Sequence, residues 1–144
     1  MNKSNLTIFL TIVLLLAVLV LSGCSNNLPD VSLKLSESSI SIADKGISNF
    51  ITATVTRTDD VAEDRTFSLV FPQELNSMYP TDVDGNRIST LKTKPLKGKN
   101  SQDVVQFKIY GEKGEADYAE YNLMIQLQWN NTVLKEQGIK IEVK

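Results

Sequence analysis

Apolar and polar residues alternate with period two along most of this chain from Val31 onward, and that alternation predicts strands rather than helices. Val31, Leu33 and Leu35 alternate with polar neighbours, and Ile40 and Ile42 resume the pattern after the break Ser36-Glu37-Ser38-Ser39. This reads as a first strand that kinks or switches sheets. Asp44-Lys45-Gly46 has turn composition. Ile51, Ala53 and Val55 mark a second inward face between threonines, which suit a half-solvated strand. Phe67, Leu69 and Phe71 mark a third, closed by Pro72. Residues Gln73–Asn86 form the longest irregular stretch, and Arg87–Lys94 reads as a weaker, polar strand. Val105, Phe107 and Ile109 follow, then Tyr121, Leu123, Ile125, Leu127 and Trp129, then Ile139, Ile141 and Val143. Asn130-Asn131 is the turn between the last two. Seven or eight short strands at this spacing predict an all-β antiparallel sandwich.

The first two dozen residues follow a different rule. Leu6–Leu21 carries no charge, follows a short head with Lys3, and ends in Leu21-Ser22-Gly23-Cys24. That order of charged, apolar and small residues predicts an N-terminal signal helix. Small residues before the chain's single cysteine resemble the lipobox of prokaryotic lipoproteins. The resemblance implies a diacylglyceryl group on Cys24 and cleavage before it. The expected organisation is a signal peptide over 1–23, a lipidated tether over 24–30 and one domain over 31–144. The alternative is an uncleaved anchor helix, although a spanning helix needs ~20 apolar residues and this run is shorter. Either way the domain lies on the extracytoplasmic face of a cell membrane, with the membrane itself the expected partner.

Composition narrows the chemistry. There is no histidine, so the usual general base at neutral pH and the commonest transition-metal ligand are missing. One cysteine cannot form an internal disulfide. The formal net charge of −2 argues against a general nucleic-acid binder. No nucleophile–base pair, phosphate loop or metal-ligand cluster stands out. The expectation is no enzyme, no catalytic residues, no cofactor and no metal.

Asp117, Ala119 and Tyr121 match the Asp-x-Ala-x-Tyr pattern at the start of strand F in immunoglobulin-like domains, with Leu123 where antibody domains carry a cysteine. The chain therefore resembles an Ig-like sandwich with a tyrosine corner, in which the Tyr ring enters the core and its hydroxyl bonds to nearby backbone. It is similar to the cell-adhesion-related Ig-like modules of prokaryotic surface proteins. The tryptophan of antibody strand C is absent, so Phe67 or Phe71 is expected in its place. This topology implies that the start of the first strand, the acidic loop Thr58–Arg65 and the Asn130-Asn131 turn share the membrane-proximal end. Asp44–Gly46, Gln73–Asn86, Gly111–Asp117 and the C-terminus share the other.

Five segments invite a functional reading, the first being the basic run Arg87, Lys92, Lys94, Lys97 and Lys99, a candidate for contact with anionic headgroups or cell-wall polymers for which a soluble edge strand guarded by lysine is the preferred reading. Asp59, Asp60, Glu63 and Asp64 have the carboxylate density of a Ca²⁺ loop, but a solvated loop balanced by Lys94, Lys97 and Lys99 is the preferred reading. Asp82-Val83-Asp84-Gly85-Asn86 lacks the later ligands of a Ca²⁺ loop and reads as a turn. Leu75, Met78 and Tyr79 are candidates for binding a partner from the long distal loop, or for capping the sandwich there. Asn130-Asn131-Thr132 is a glycosylation sequon. The expected function is a non-catalytic binding or structural lipoprotein that meets a surface protein or glycan. The alternative is an accessory or inhibitory subunit of a surface enzyme or transporter.

Overall fold

Period-two burial runs through most of the long strands of the computed structural model, which describes residues 27–144. The expected signal helix and Cys24 lie outside the described residues. In chain order the strands are β1 (Val31–Leu35), β2 (Ser39–Ile42), β3 (Gly46–Ile47), β4 (Ile51–Arg57), β5 (Asp64–Arg65) and β6 (Ser68–Val70). There follow β7 (Met78–Thr81), β8 (Thr90–Lys92), β9 (Leu96–Lys97), β10 (Gln102–Gly111), β11 (Ala119–Trp129) and β12 (Thr132–Val143). On β4, Ile51, Ala53, Val55 and Arg57 are buried while the threonines between them face out.

Two sheets pack face to face. One runs β1–β4–β10–β7, with β3 continuing the line of β4 along β10. The other runs β2–β12–β11–β6–β8. A short β5–β9 ladder stands apart. The first strand does switch sheets at the polar break: β1 lies antiparallel to β4, and β2 lies parallel to β12. In immunoglobulin order the first sheet is A-B-E-D and the second A′-G-F-C-C′. The fold is an Ig-like antiparallel β-sandwich.

Its core is drawn from both inner faces. Ile51, Val55, Phe107 and Ile109 come from the first sheet, and Leu69, Leu123, Ile125, Leu127, Ile139 and Ile141 from the second. Phe71 meets Phe107 edge-on across the gap, with ring centroids 5.1 Å apart. Among the described residues, the buried apolar core runs from Val31 to Val143.

The stretch Gln73–Asn86 is not wholly irregular. Met78–Thr81 forms β7, and Pro80 is tolerated because β7 lies at the rim of its sheet, where a missing N–H costs little. The chain then folds back through a turn at Asp82–Asn86, with the Ile88 N–H donating to the Pro80 carbonyl at 3.0 Å. The polar strand expected over Arg87–Lys94 shrinks to β8 and joins β6 in the other sheet. The chain thus lays down the D-position strand before the C′-position one. Gln73 supports this crossing. Its amide accepts from the Met124 N–H (2.7 Å) and donates to the Asn122 carbonyl (3.1 Å), standing in for a neighbouring strand where β6 has ended.

The two ends differ in chemistry. At one end lie Val31, the 58–66 loop and the Asn130-Asn131 turn; the Thr58 N–H donates to the Asp30 carbonyl at 2.9 Å. At the other, the Asp44 N–H donates to the Lys144 carbonyl, and the Asp44 carboxylate accepts from the Lys113 N–H, both at 2.9 Å.

Candidate functional site

The surface feature with the most binding chemistry lies on the outer face of the β1–β4–β10–β7 sheet. Its construction starts with a bulge. Ile47 pairs with Tyr110 and Ile51 with Phe107, so three residues, Ser48-Asn49-Phe50, oppose two on β10. The extra residue lets both Ile47 and Phe50 face outward. The Ser48 hydroxyl holds the bulge by accepting the Ile109 N–H at 2.9 Å. Ile47 and Phe50 are each about half exposed.

Register then sets a row across the sheet. Ile47 pairs with Tyr110, and Tyr110 with Tyr79 on β7. The tyrosine rings stack, with centroids 4.7 Å apart and planes 20° apart. The Arg87 guanidinium lies 4.8 Å above the Tyr79 ring and donates to the Asn76 side-chain oxygen at 3.3 Å. The Lys108 ammonium sits 4.4 Å over the Phe50 ring. Tyr110 donates its hydroxyl to Glu112 at 2.8 Å, and that bond, aided by desolvation and the carboxylate's charge, pushes its pKa up to about 12. The phenol is therefore neutral at any physiological pH. Val83, half exposed on the hairpin tip after β7, accepts from the Lys108 ammonium through its carbonyl at 3.4 Å.

The hairpin that presents Arg87 is fixed by its own turn. One Asp82 carboxylate oxygen accepts the N–H groups of Asp84 (3.0 Å) and Asn86 (2.8 Å). The Asn86 side-chain amide also donates to this carboxylate, at 3.1 Å, and that bond, followed by the backbone ones, holds the Asp82 carboxyl below its usual range. Gly85 supplies the left-handed residue, φ 90°. The Asp82 carboxylate thus holds its own loop together.

The three residues named as partner-binding candidates separate. Tyr79 is in the outward row. Leu75 is exposed on the loop before β7. Met78 is a correction: strand alternation turns it inward, and at 1% exposure it is core, unable to touch a partner. The Tyr121 hydroxyl donates to the Glu112 carbonyl at 2.7 Å, tying the start of β11 to the end of β10. Ala119 opens β11 opposite Val143, and Asp117 is exposed in the preceding turn.

The acidic loop serves two arginines that sequence reading passed over. Arg57 is fully buried, and Arg65 nearly so, lying 4.8 Å over the Trp129 ring. Asp59 receives two bonds from Arg57 Nε at 3.0 Å and one from Nη2 at 2.6 Å. Asp60 pairs with Lys99 at 3.3 Å and Asp64 with Lys97 at 3.7 Å. Carboxylates already facing cations are poor candidates for a divalent ion. Among the described residues no group of three His, Cys, Asp or Glu converges on a common point. The phase of β4 was the available signal: counting by twos from Ile51 puts Arg57 inside, and a charge on an inward position calls for a partner close by.

No known family profile matches this chain, and no curated protein matches its sequence. Solved structures do resemble it in shape. The CARDB domain of a Pyrococcus furiosus protein, solved in complex with di-metal ions, aligns over 83% of this chain and 98% of its own, at 11% identity and a TM-score of 0.48. The N-terminal domain of PorA aligns over 80% and 98%, at 7% identity and a TM-score of 0.47. A Pseudomonas fluorescens alkylpurine DNA glycosylase aligns over 85% of this chain and 33% of its own, at 11% identity and a TM-score of 0.44.

Proposed function

We propose that this chain is a lipid-anchored extracytoplasmic lipoprotein whose sandwich is a non-catalytic binding module, meeting a surface protein through the face around Tyr79 and Tyr110. The observation that carries the reading is the Arg87–Tyr79–Tyr110 stack with Ile47 and Phe50 exposed beside it. Tyrosine and arginine are enriched among the residues that dominate protein-binding energy. Here their ring and guanidinium planes are already held in place, so little side-chain freedom is lost on contact.

The sequence Leu21-Ser22-Gly23-Cys24 is what supports the anchor, and a lipid on Cys24 would lie a few residues before Val31. Seven residues of tether span at most about 25 Å, so the end carrying Val31 and the 58–66 loop stays beside the bilayer. Ile47 and Tyr110 register near Gly46 and Gly111 at the opposite end, away from the lipid.

Two variants test the two halves separately. Cys24→Ser is expected to accumulate as unmodified precursor, read by mass and membrane fractionation; a variant that migrates and partitions like the wild type removes the anchor. Ile47→Asp with Phe50→Asp is expected to stay membrane-bound and folded, yet to lose the protein crosslinked to the wild type in native membranes. Unchanged crosslinking assigns the contact elsewhere.

A further inference from the structure

On the opposite sheet, the outer face of β8, β6 and β11 is shaped into a trough, and we propose that it binds an acidic saccharide. Register builds it. Lys92 pairs with Ser68, and Ser68 with Gln128; one step along, Thr90 pairs with Val70, and Val70 with Gln126. On the first row the short Ser68 lies between the longer Lys92 and Gln128, so the centre there is low and the sides are high. The Asn130-Asn131 turn closes one end, its two residues in left-handed conformation at φ 47° and 63°. The trough has a volume of about 490 Å³, within the range of small-ligand sites. Two strand spacings make it about 10 Å across, wide enough for a single sugar chain.

The lining fits a hydroxylated ligand and little else. Val70 is the one apolar side chain among the residues that line it; the rest are hydroxyls, amides and one ammonium. An apolar ligand would meet a lining that is mostly polar. A peptide strand would add along the outer edge of β8, outside the trough, whose floor is a sheet face. The Gln128 amide is pre-oriented by a relay. The Glu136 carboxylate can only accept, so Gln126 turns its NH₂ toward it at 2.7 Å. The Gln126 carbonyl then accepts the Gln128 NH₂ at 2.9 Å. That leaves the Gln128 carbonyl as an acceptor with no protein donor among the described residues. Lys92 has no carboxylate within 4.0 Å among the described residues, so its charge is open to an anion. A bare anion would use Lys92 alone. A sugar carrying a carboxylate uses the ammonium and the rows of hydroxyls and amides together. The site is on the other sheet from the proposed protein-contact face, and each stands or falls without the other.

Isothermal titration of the full chain in detergent micelles tests this, with tetragalacturonate as the acidic probe, maltotetraose as its neutral counterpart and inorganic sulfate as a bare anion. Saturable binding of tetragalacturonate is expected, at least tenfold weaker in Lys92→Ala, a loss of about 1.4 kcal/mol, and retained in Lys92→Arg. Gln128→Leu is also expected to weaken it. Lys92 and Gln128 point away from the core, so equal thermal midpoints identify lost binding as local. No saturation up to about 10 mM, equal binding by Lys92→Ala, or equal affinity for maltotetraose or sulfate overturns the proposal.

Discussion

Asp59→Ala is expected to lower the unfolding free energy by about 3 to 5 kcal/mol, because it strands the buried Arg57 guanidinium without its counter-charge. Arg57 ends the inward row of β4 at 0% exposure. Its three nitrogens are used against Asp59, the Val61 carbonyl (2.6 Å), the Leu96 carbonyl (3.0 Å) and the Glu63 carbonyl. The 58–66 loop is therefore wound around one side chain. Truncating Asp59 removes the charge yet leaves the cation in place, which is the costly way to break such a pair. Lys99→Ala is the contrast: its exposed pair with Asp60 is worth under about 1 kcal/mol. Urea unfolding with an unchanged slope separates the two, since a midpoint shift at constant slope is a stability change. A loss below about 1 kcal/mol for Asp59→Ala would mean that the loop carbonyls and water hold Arg57 without it. Acid gives a second readout. Hydrogen bonding from Arg57 holds the folded-state pKa of Asp59 below the ordinary aspartate value. A depressed carboxylate contributes stability above its unfolded pKa and loses it as pH falls through the lower folded pKa. The gap between wild type and Asp59→Ala should therefore be full at neutral pH and close only below the ordinary carboxylate range.

The strands that the period-two pattern announced are those whose inner face is unbroken. Ile51, Ala53 and Val55 gave β4, and Leu123, Ile125 and Leu127 gave β11, because one sheet face against a core leaves no other arrangement. The sheet switch in the first strand was readable from the polar break before Ile40. β7 was not, for two reasons: Pro80 argues against a strand, and Met78 and Pro80 are too few to show a period. Its partner Ile109 makes it a strand, and that pairing is a tertiary fact. The contact face was hidden more deeply. Ile47 and Phe50 are three apart, so no alternation puts them on one face; a one-residue bulge does. Tyr79 and Tyr110 are far apart in sequence, and only the β7–β10 register stacks them. The trough depends on the same kind of information, since Lys92, Ser68 and Gln128 come from three strands. Arg57 was hidden by convention rather than by physics. A charged residue at the end of an apolar alternation is ordinarily read as the point where the strand leaves the core, and here the following loop returns to cover it.

Phe107→Ala is expected to cost about 3 to 5 kcal/mol, the range for emptying a buried aromatic site, and to do so as the largest single core truncation on β10. The reason lies in what this sandwich lacks. With one cysteine in the chain, no covalent bridge joins the sheets, and Leu123, at 1% exposure, fills the β11 position where antibody domains place one end of such a bridge. The sheets are joined instead by side-chain packing. Phe107 has no exposed surface and points from the middle of β10 at Phe71, just beyond β6 in the other sheet. Their edge-to-face geometry, 63° between planes, is a favourable arrangement for two ring quadrupoles. Truncation at Phe107 leaves a void at the centre and exposes the edge of Phe71 to it, with strands on both sides too rigid to collapse inward. Phe107→Leu retains much of the volume and should recover more than half of the loss, leaving mainly the aromatic pair to account for, about 0.5 to 1.5 kcal/mol. Thermal and urea unfolding of both variants decide the matter. If Phe107→Ala costs less than about 1.5 kcal/mol, the sheets are held chiefly by the aliphatic rows of β11 and β12. In that case the aromatic contact fills space without joining the layers.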